Sequence, residues 1–272
     1  MWFIQPPRSK VYEDKGHVHI GKARERFHAN AHRRYKGHVH IGKARERFHA
    51  NAHRRLSHDV IDDIHSAVRR VRSDPSASRS VLITTATGKF FSNGYDIDQA
   101  KSHPHLVPVM DAKLRSLFAD LISLPMPTIA AVTGHSSAAG FLLVMSHDYV
   151  LMRRDRGFLY MSELDIGLTI PAWLMALVRL KIGSPAARRD VVLTAAKLTA
   201  VEAAEKGIVD SVHDSASETV EAAVRLGEDL VRRGWDGHVY SRMREILLKE
   251  VLDAIVSDEA PSPMLVINRS KL

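Results

Sequence analysis

Two apolar runs, Val81-Leu82-Ile83-Thr84-Thr85 and Thr128-Ile129-Ala130-Ala131-Val132, each lead through a turn of small residues into a helical pattern. Strand-like runs alternating with helices restrict the chain to the α/β class. The first turn is Phe91-Ser92-Asn93-Gly94-Tyr95-Asp96 and the second is Gly134-His135-Ser136-Ser137-Ala138-Ala139-Gly140. Where a strand gives way to a helix, the first backbone N–H groups have no partners and the helix dipole is positive, so such a turn can hold an anionic oxygen. Small side chains let a ligand oxygen approach those nitrogens, and Gly94 and Gly140 allow unusual backbone angles. A third segment, Met161-Ser162-Glu163-Leu164-Asp165-Ile166-Gly167, adds two carboxylates, Glu163 and Asp165.

The rest of the chain is ordered around these turns. Ser57 is placed to cap a helix whose apolar stripe is Val60, Ile61, Ile64, Ala67 and Val68. A helix is expected from about Met110 to Leu124, and Pro125 and Pro127 break it before the next strand. The second turn opens a helix over about Ala138 to Ser146, followed by a strand over Tyr149 to Met152. Beyond Pro171 the pattern is almost wholly helical: Ala172 to Leu180, Pro185 to Thr194, Ala200 to Lys206, Ser217 to Arg233 and Tyr240 to Ile255. This divides the chain into a basic, His-rich arm (1–56), an α/β core (57–235) and a C-terminal helix and tail (236–272).

The arm is unusual. Lys15 to Arg34 recurs letter for letter as Lys36 to Arg55. Two copies do not make a solenoid, which needs about three or more units. Each copy carries six Lys or Arg and one Glu, so the pair contributes +10 against a whole-chain charge of +8, and the remainder is −2. The basic balance therefore describes the arm and not the core. Eight of the sixteen histidines also lie in the repeat. Such an arm suits acidic-surface, nucleic-acid or loose metal binding, or is a plain solvated segment. With no stacking aromatics, reading helix or fixed ligand spacing, the solvated reading is favoured, and neither a nucleic-acid partner nor a metal site is expected. Gly42 to Arg55 reads as charged helix or coil, and Gly37-His38-Val39-His40-Ile41 as a short strand.

A chain of 272 residues, 45% hydrophobic, suffices for one sizeable α/β domain. It has no cysteine, which excludes disulfides and thiolate metal sites. No apolar run approaches the roughly 20 residues needed to span a bilayer. Met1-Trp2-Phe3-Ile4-Gln5-Pro6-Pro7 is broken by proline too early for a secretory signal, so an intracellular, soluble protein is expected.

From about residue 57 onward, the three segments in this order resemble the enoyl-CoA hydratase/isomerase (crotonase) superfamily, and most of all its plant-type peroxisomal Δ3,Δ2-enoyl-CoA isomerases. Ser146-His147-Asp148-Tyr149-Val150 and Ala186-Ala187-Arg188-Arg189 take part in the match. The resemblance implies a crotonase-like spiral of ββα units with a helical C-terminal region. It further implies a backbone oxyanion hole from Asn93 and Ala139, and substrate contacts from Ser92, Asn93, Gly94, Tyr95, Asp96, Ala139 and Gly140. The catalytic carboxylate falls on Glu163, with Asp165 as a structural hydrogen-bonding neighbour.

Hydratases of the superfamily carry a second glutamate after the glycine segment. Leu142 stands there, which favours moving a double bond over adding water. The apolar neighbours Tyr160, Met161, Leu164 and Ile166 would raise the Glu163 pKa if they closed around it. The substrate implied is a fatty enoyl-CoA of β-oxidation, with no cofactor beyond the CoA it carries and with assembly as a homo-trimer or hexamer. A hydratase, an acyl-CoA hydrolase and a non-catalytic crotonase-like protein are the alternatives. The opening hairpin that in the family helps form the acyl-CoA pocket is altered here, with Gly37-His38-Val39-His40-Ile41 resembling its first strand. Ser270-Lys271-Leu272 matches the peroxisomal address read by an import receptor, so a peroxisomal location is expected.

Overall fold

The computed structural model describes residues 2–5, 45–47, 55–74 and 77–257. The chain gives β1 (Trp2–Gln5), β2 (Arg45–Arg47), α1 (His58–Ser73), β3 (Leu82–Thr85), β4 (Phe90–Ser92), α2 (Ile97–Ser102) and α3 (Val107–Ile122). It continues with β5 (Thr128–Val132), β6 (His135–Ser137), α4 (Ala139–Met145), β7 (Tyr149–Arg153) and β8 (Leu159–Tyr160). The C-terminal part holds α5 (Ala172–Lys181), α6 (Pro185–Leu193), α7 (Ala200–Glu205), β9 (Ser211–His213), α8 (Ala216–Arg232), α9 (Gly237–Leu247) and α10 (Lys249–Val256).

Two parallel sheets result. The larger runs β2-β1-β3-β5-β7-β9 and the smaller β4-β6-β8. Each of the three central units therefore contributes one strand to each sheet, so the small-residue turns do not pass directly from a long strand into a helix as the sequence pattern suggests. The second strands are two or three residues long, too short to leave a periodic trace. β4 also carries one residue more than its partner, since Phe90 pairs with His135 but Ser92 pairs with Ser136.

The strands β3, β5 and β7 are largely apolar because both faces of the large sheet are covered there. Leu82, Ala130, Val132, Val150 and Met152 join the main core, which also takes in α1, α3, α4 and α5. Their alternate neighbours Ile83, Ile129, Ala131 and Leu151 pack instead with Ala222, Ala223 and Leu230 of α8. The Ser57 side chain caps α1 by accepting from the Val60 amide, and the expected stripe on that helix faces the core.

Two expectations are corrected. The single helix over Tyr240 to Ile255 is two, separated at Leu248 (φ −102°, ψ 18°). The break lets Leu248 enter the core together with Val251 and Ile255, while Arg244 in the preceding turn reaches beneath β5. In the arm, Arg45–Arg47 is a strand pairing with Trp2–Gln5, not helix or coil, because the apolar Trp2-Phe3-Ile4 run supplies a template beside β3. The strand expected at 37–41 and the Ser270-Lys271-Leu272 tripeptide lie outside the described residues. Among the described residues no helix is long and apolar enough to cross a membrane.

Candidate active site

The C-terminal ends of the three small-sheet strands meet around one cavity. β4 delivers Asn93 and Tyr95, β6 delivers Ala138 and Ala139, and β8 delivers Ser162 and Glu163. The opposite wall comes from Ile97 and Ala100 of α2 and from Val107 and Met110 of α3. The space enclosed, mouth included, is about 620 Å³.

Close backbone approach joins the two turns. Gly94 has φ +71°, and a Cβ there would stand 2.9 Å from the Ala138 Cβ and the Ser137 carbonyl oxygen, and 3.4 Å from the Ala139 nitrogen. Glycine is therefore required for both angle and contact. Ala138 itself has φ 52° and ψ −129°, an unfavourable conformation for a side-chain-bearing residue. It is held because its N–H donates to the Tyr160 carbonyl at 3.0 Å, tying β6 to β8. The next residue, Ala139, opens α4, so its N–H is one of the amides that a helix leaves unpaired. The Ser137 hydroxyl donates to Asn93 Oδ1 at 2.9 Å and fixes the first turn to the second.

Glu163 lies three residues past β8, at the start of a 3-10 turn (Leu164–Ile166) closed by Gly167 in the left-handed conformation. Its carbonyl accepts from the amides of Ile166 and Leu168 at 3.2 and 2.8 Å, which locks the turn. The side chain is 7% exposed, and its Oε2 has no hydrogen-bond partner. Burial pushes its pKa up to about 7, and the amides of Glu163 and Ser162 pull only weakly the other way. A carboxylate held partly by its own backbone, with one oxygen free and no cation beside it, is suited to accept a proton and return it.

The sequence-derived site residues divide by position. Asn93, Tyr95, Ala139 and Glu163 line the cavity. The others stand behind it: Ser92 is buried against Gly140, where a Cβ would meet its Oγ at 2.6 Å, and its Oγ accepts from the Gly94 amide. Asp96 caps α2 by accepting from the Gln99 amide at 3.2 Å and pairs with Arg55. Leu142 is buried in the core and is not among the lining residues, so no carboxylate enters the cavity from that helix.

The expected enclosure of Glu163 by its sequence neighbours holds for Met161, which is buried, and for Ile166, which lines the cavity, but not for Leu164, which is 54% exposed. The 3-10 turn directs Leu164 outward, and the desolvating wall is shared between Ile166 and Leu168 of the local segment and the residues of α2 and α3. Asp165 is exposed, lies outside the cavity and makes no side-chain hydrogen bond among the described residues, in contrast to the structural bonding expected of it. Sequence reasoning missed Ser137, the strained Ala138 and the α2–α3 wall. The pairing of Ser137 with Asn93 spans 44 residues, so no local pattern announces it.

Parallel ββα units, two converging backbone turns and one desolvated glutamate define a class of acyl-thioester enzymes in which amides hold the carbonyl. The chain belongs to the enoyl-CoA hydratase/isomerase family, whose sequence profile matches residues 41–254. Among its relatives is the peroxisomal enoyl-CoA delta isomerase 1 of Arabidopsis thaliana, 66% identical over 218 residues that make up 80% of this chain and 91% of that protein. The peroxisomal enoyl-CoA delta isomerase 2 of the same plant is 48% identical over 200 residues, 71% of this chain and 83% of that protein. The fold is shared with the apo enoyl-CoA isomerase of Mycobacterium tuberculosis, at a TM-score of 0.68 and 21% identity, covering 76% of this chain and 88% of that one.

Proposed function

We propose that the protein is a peroxisomal Δ3,Δ2-enoyl-CoA isomerase in which Glu163 is the only acid–base group. The observation that carries this reading is a single cavity carboxylate with a free, desolvated oxygen beside two converging backbone turns. The 66% identity to an enoyl-CoA delta isomerase supports the same activity, and the peroxisomal location in the names of two relatives supports the same compartment.

The reaction follows from the parts. The thioester oxygen of a 3-enoyl-CoA accepts from the Asn93 and Ala139 amides, which lowers the cost of the dienolate. Loss of one such donor raises the barrier by about 3 to 4 kcal/mol. Glu163 takes the C2 proton, the electrons move into the dienolate, and the same carboxylic acid returns the proton to C4. The product is the trans-2-enoyl thioester, with atoms and charge conserved. Hydration would need a second group to activate water. Among the described residues Glu163 is the one carboxylate that lines the cavity, so water addition is disfavoured. Proton transfer of this kind calls for no cofactor beyond the CoA that the substrate carries.

Two partners complete the reading. An import receptor would read the Ser270-Lys271-Leu272 signal. A second copy of the chain would cover Val239, Met243, Ile246 and Leu247, exposed apolar residues on one stripe of α9, as a trimer or hexamer requires. The decisive experiment supplies purified protein with a 3-enoyl-CoA. Accumulation of conjugated 2-enoyl-CoA supports the isomerase. A hydrated product, free CoA or no turnover would assign the protein to a hydratase, a hydrolase or a non-catalytic role respectively.

A further inference from the structure

Among the described residues six side-chain polar atoms are sealed from solvent without a hydrogen-bond partner, and only two of them belong to residues lining the cavity. One is Glu163 Oε2, the atom that would meet the substrate. The other is the hydroxyl of Tyr95. A buried hydroxyl left unpaired destabilises a protein, and a phenylalanine would give the same ring without that cost. Tyr95 lines the cavity, so a molecule that enters it can bring the partner that this hydroxyl lacks among the described residues.

The position of Tyr95 narrows that partner. Its backbone is fixed on both sides, by Leu56 N–H donating to the Gly94 carbonyl at 2.7 Å and Asp96 N–H donating to Leu56 at 3.2 Å. The charges that reach the hydroxyl are those of Asp111 and Arg115 on α3, which pair with each other at 2.7 Å; Glu163 is not among them. Tyr95 shares the cavity lining with Ile97, Ala100, Val107 and Met110, which form an apolar wall suited to hydrocarbon. Burial raises its pKa well above the ordinary tyrosine value, so it stays protonated and acts as a neutral donor.

We propose that Tyr95 is a specificity residue whose hydroxyl donates a hydrogen bond to an acceptor oxygen carried on the acyl chain beyond the double bond. Chain-oxygenated enoyl thioesters thereby join the substrate class. The proposal rests on the isomerase reading of the same cavity and specifies which acyl chains that cavity selects.

The test uses the full-length chain and a set of matched 3-enoyl-CoA substrates in which one keto group is moved along the acyl tail, with the plain chain as reference. The keto-to-plain ratio of kcat/KM is expected to peak at one keto position in the wild type, and Tyr95→Phe should lower that ratio about tenfold there. A ratio that the substitution leaves unchanged at every position overturns the proposal, including the case in which all substrates lose activity equally because the hydroxyl serves a part common to them. Should Tyr95→Phe fail to fold, a steady decline of the wild-type ratio with polarity overturns the proposal, and a wild-type maximum upholds it only if Tyr95→Met abolishes that maximum and overturns it if the maximum persists. Absence of wild-type turnover on the plain chain would overturn the isomerase reading itself, whereas turnover without a maximum removes only the role of Tyr95.

Discussion

Glu163, buried, and Asp148, part-buried, are carboxylates near the ends of parallel strands, and their surroundings are opposite. Asp148, just before β7, accepts from the Thr128 amide at 2.8 Å, the Thr128 hydroxyl at 3.1 Å and the Tyr240 hydroxyl at 3.1 Å. Arg244 of α9 adds an ion pair at 2.9 Å, at an angle too bent for a hydrogen bond. Arg244 in turn donates to the carbonyls of Leu121, Leu124 and Met126, which pins α9 beneath the large sheet. Glu163 has no such company: one oxygen is unpaired and no cation neutralises it. A paired charge of this kind destabilises the fold when its partner is removed, whereas a buried charge without partners is kept reactive at a cost to stability.

Substitutions can break or sharpen this contrast. The largest effect is expected from Glu163→Gln, which should lower isomerase turnover by about 10³-fold. Its effect on stability should have the opposite sign. The pKa of Glu163 is raised in the folded state, so the wild type is fully stable below the unfolded value near 4.5 and loses that stability as pH rises through about 7. The variant should thus be more stable than wild type by about 3 kcal/mol at pH 8 and no more stable below pH 4, as read by urea melts at the two pH values. Wild-type kcat/KM should rise with pH through about 7 as the base ionises. A flat profile would equate Glu163 with an ordinary surface glutamate.

Asp148→Ala should do the reverse. It strands Arg244, which is 5% exposed, and should cost about 3 to 5 kcal/mol in a denaturant melt while turnover per folded molecule stays near wild type. A large loss of turnover in folded protein would erase the distinction between the two carboxylates. Gly94→Ala should act on both properties, because φ +71° and the 2.9 Å approach to Ser137 and Ala138 leave no room for a methyl group. A loss of about 2 kcal/mol in stability, together with a fall in kcat, is expected. The smallest effect is that of Ser137→Ala, which removes the hydroxyl that orients Asn93. About 1 kcal/mol, or roughly fivefold in kcat with KM little changed, should be lost. An equal loss in thermal stability with kcat intact would make that bond structural only.

The long elements were legible because their signals are local. Thr128–Val132 appears with the expected bounds, and the Ser57 cap and the stripe of α1 follow from spacing alone. The short strands β4, β6 and β8 were hidden, since two or three residues show no period and their pairing joins segments some 20 to 45 residues apart. For the site, small residues and a carboxylate stand out as letters, which is why Asn93, Ala139 and Glu163 could be singled out. Only part of what desolvates Glu163 could be read in this way. Its sequence neighbour Leu164 points outward, and part of the wall is supplied by Val107 and Met110, more than fifty residues earlier in the chain.

The extra residue of β4 makes chain length, as well as residue identity, a condition for turnover. Phe90 and Ser92 flank a two-step stride against a single step on β6, and Asn93 stands where that stride ends. Deleting Phe91 would retract the Asn93 amide by about 3.3 Å, farther than a hydrogen bond can stretch, with every lettered component of the site still present. A frame-preserving deletion of one codon at this place would therefore silence an enzyme whose full inventory of site residues looks intact.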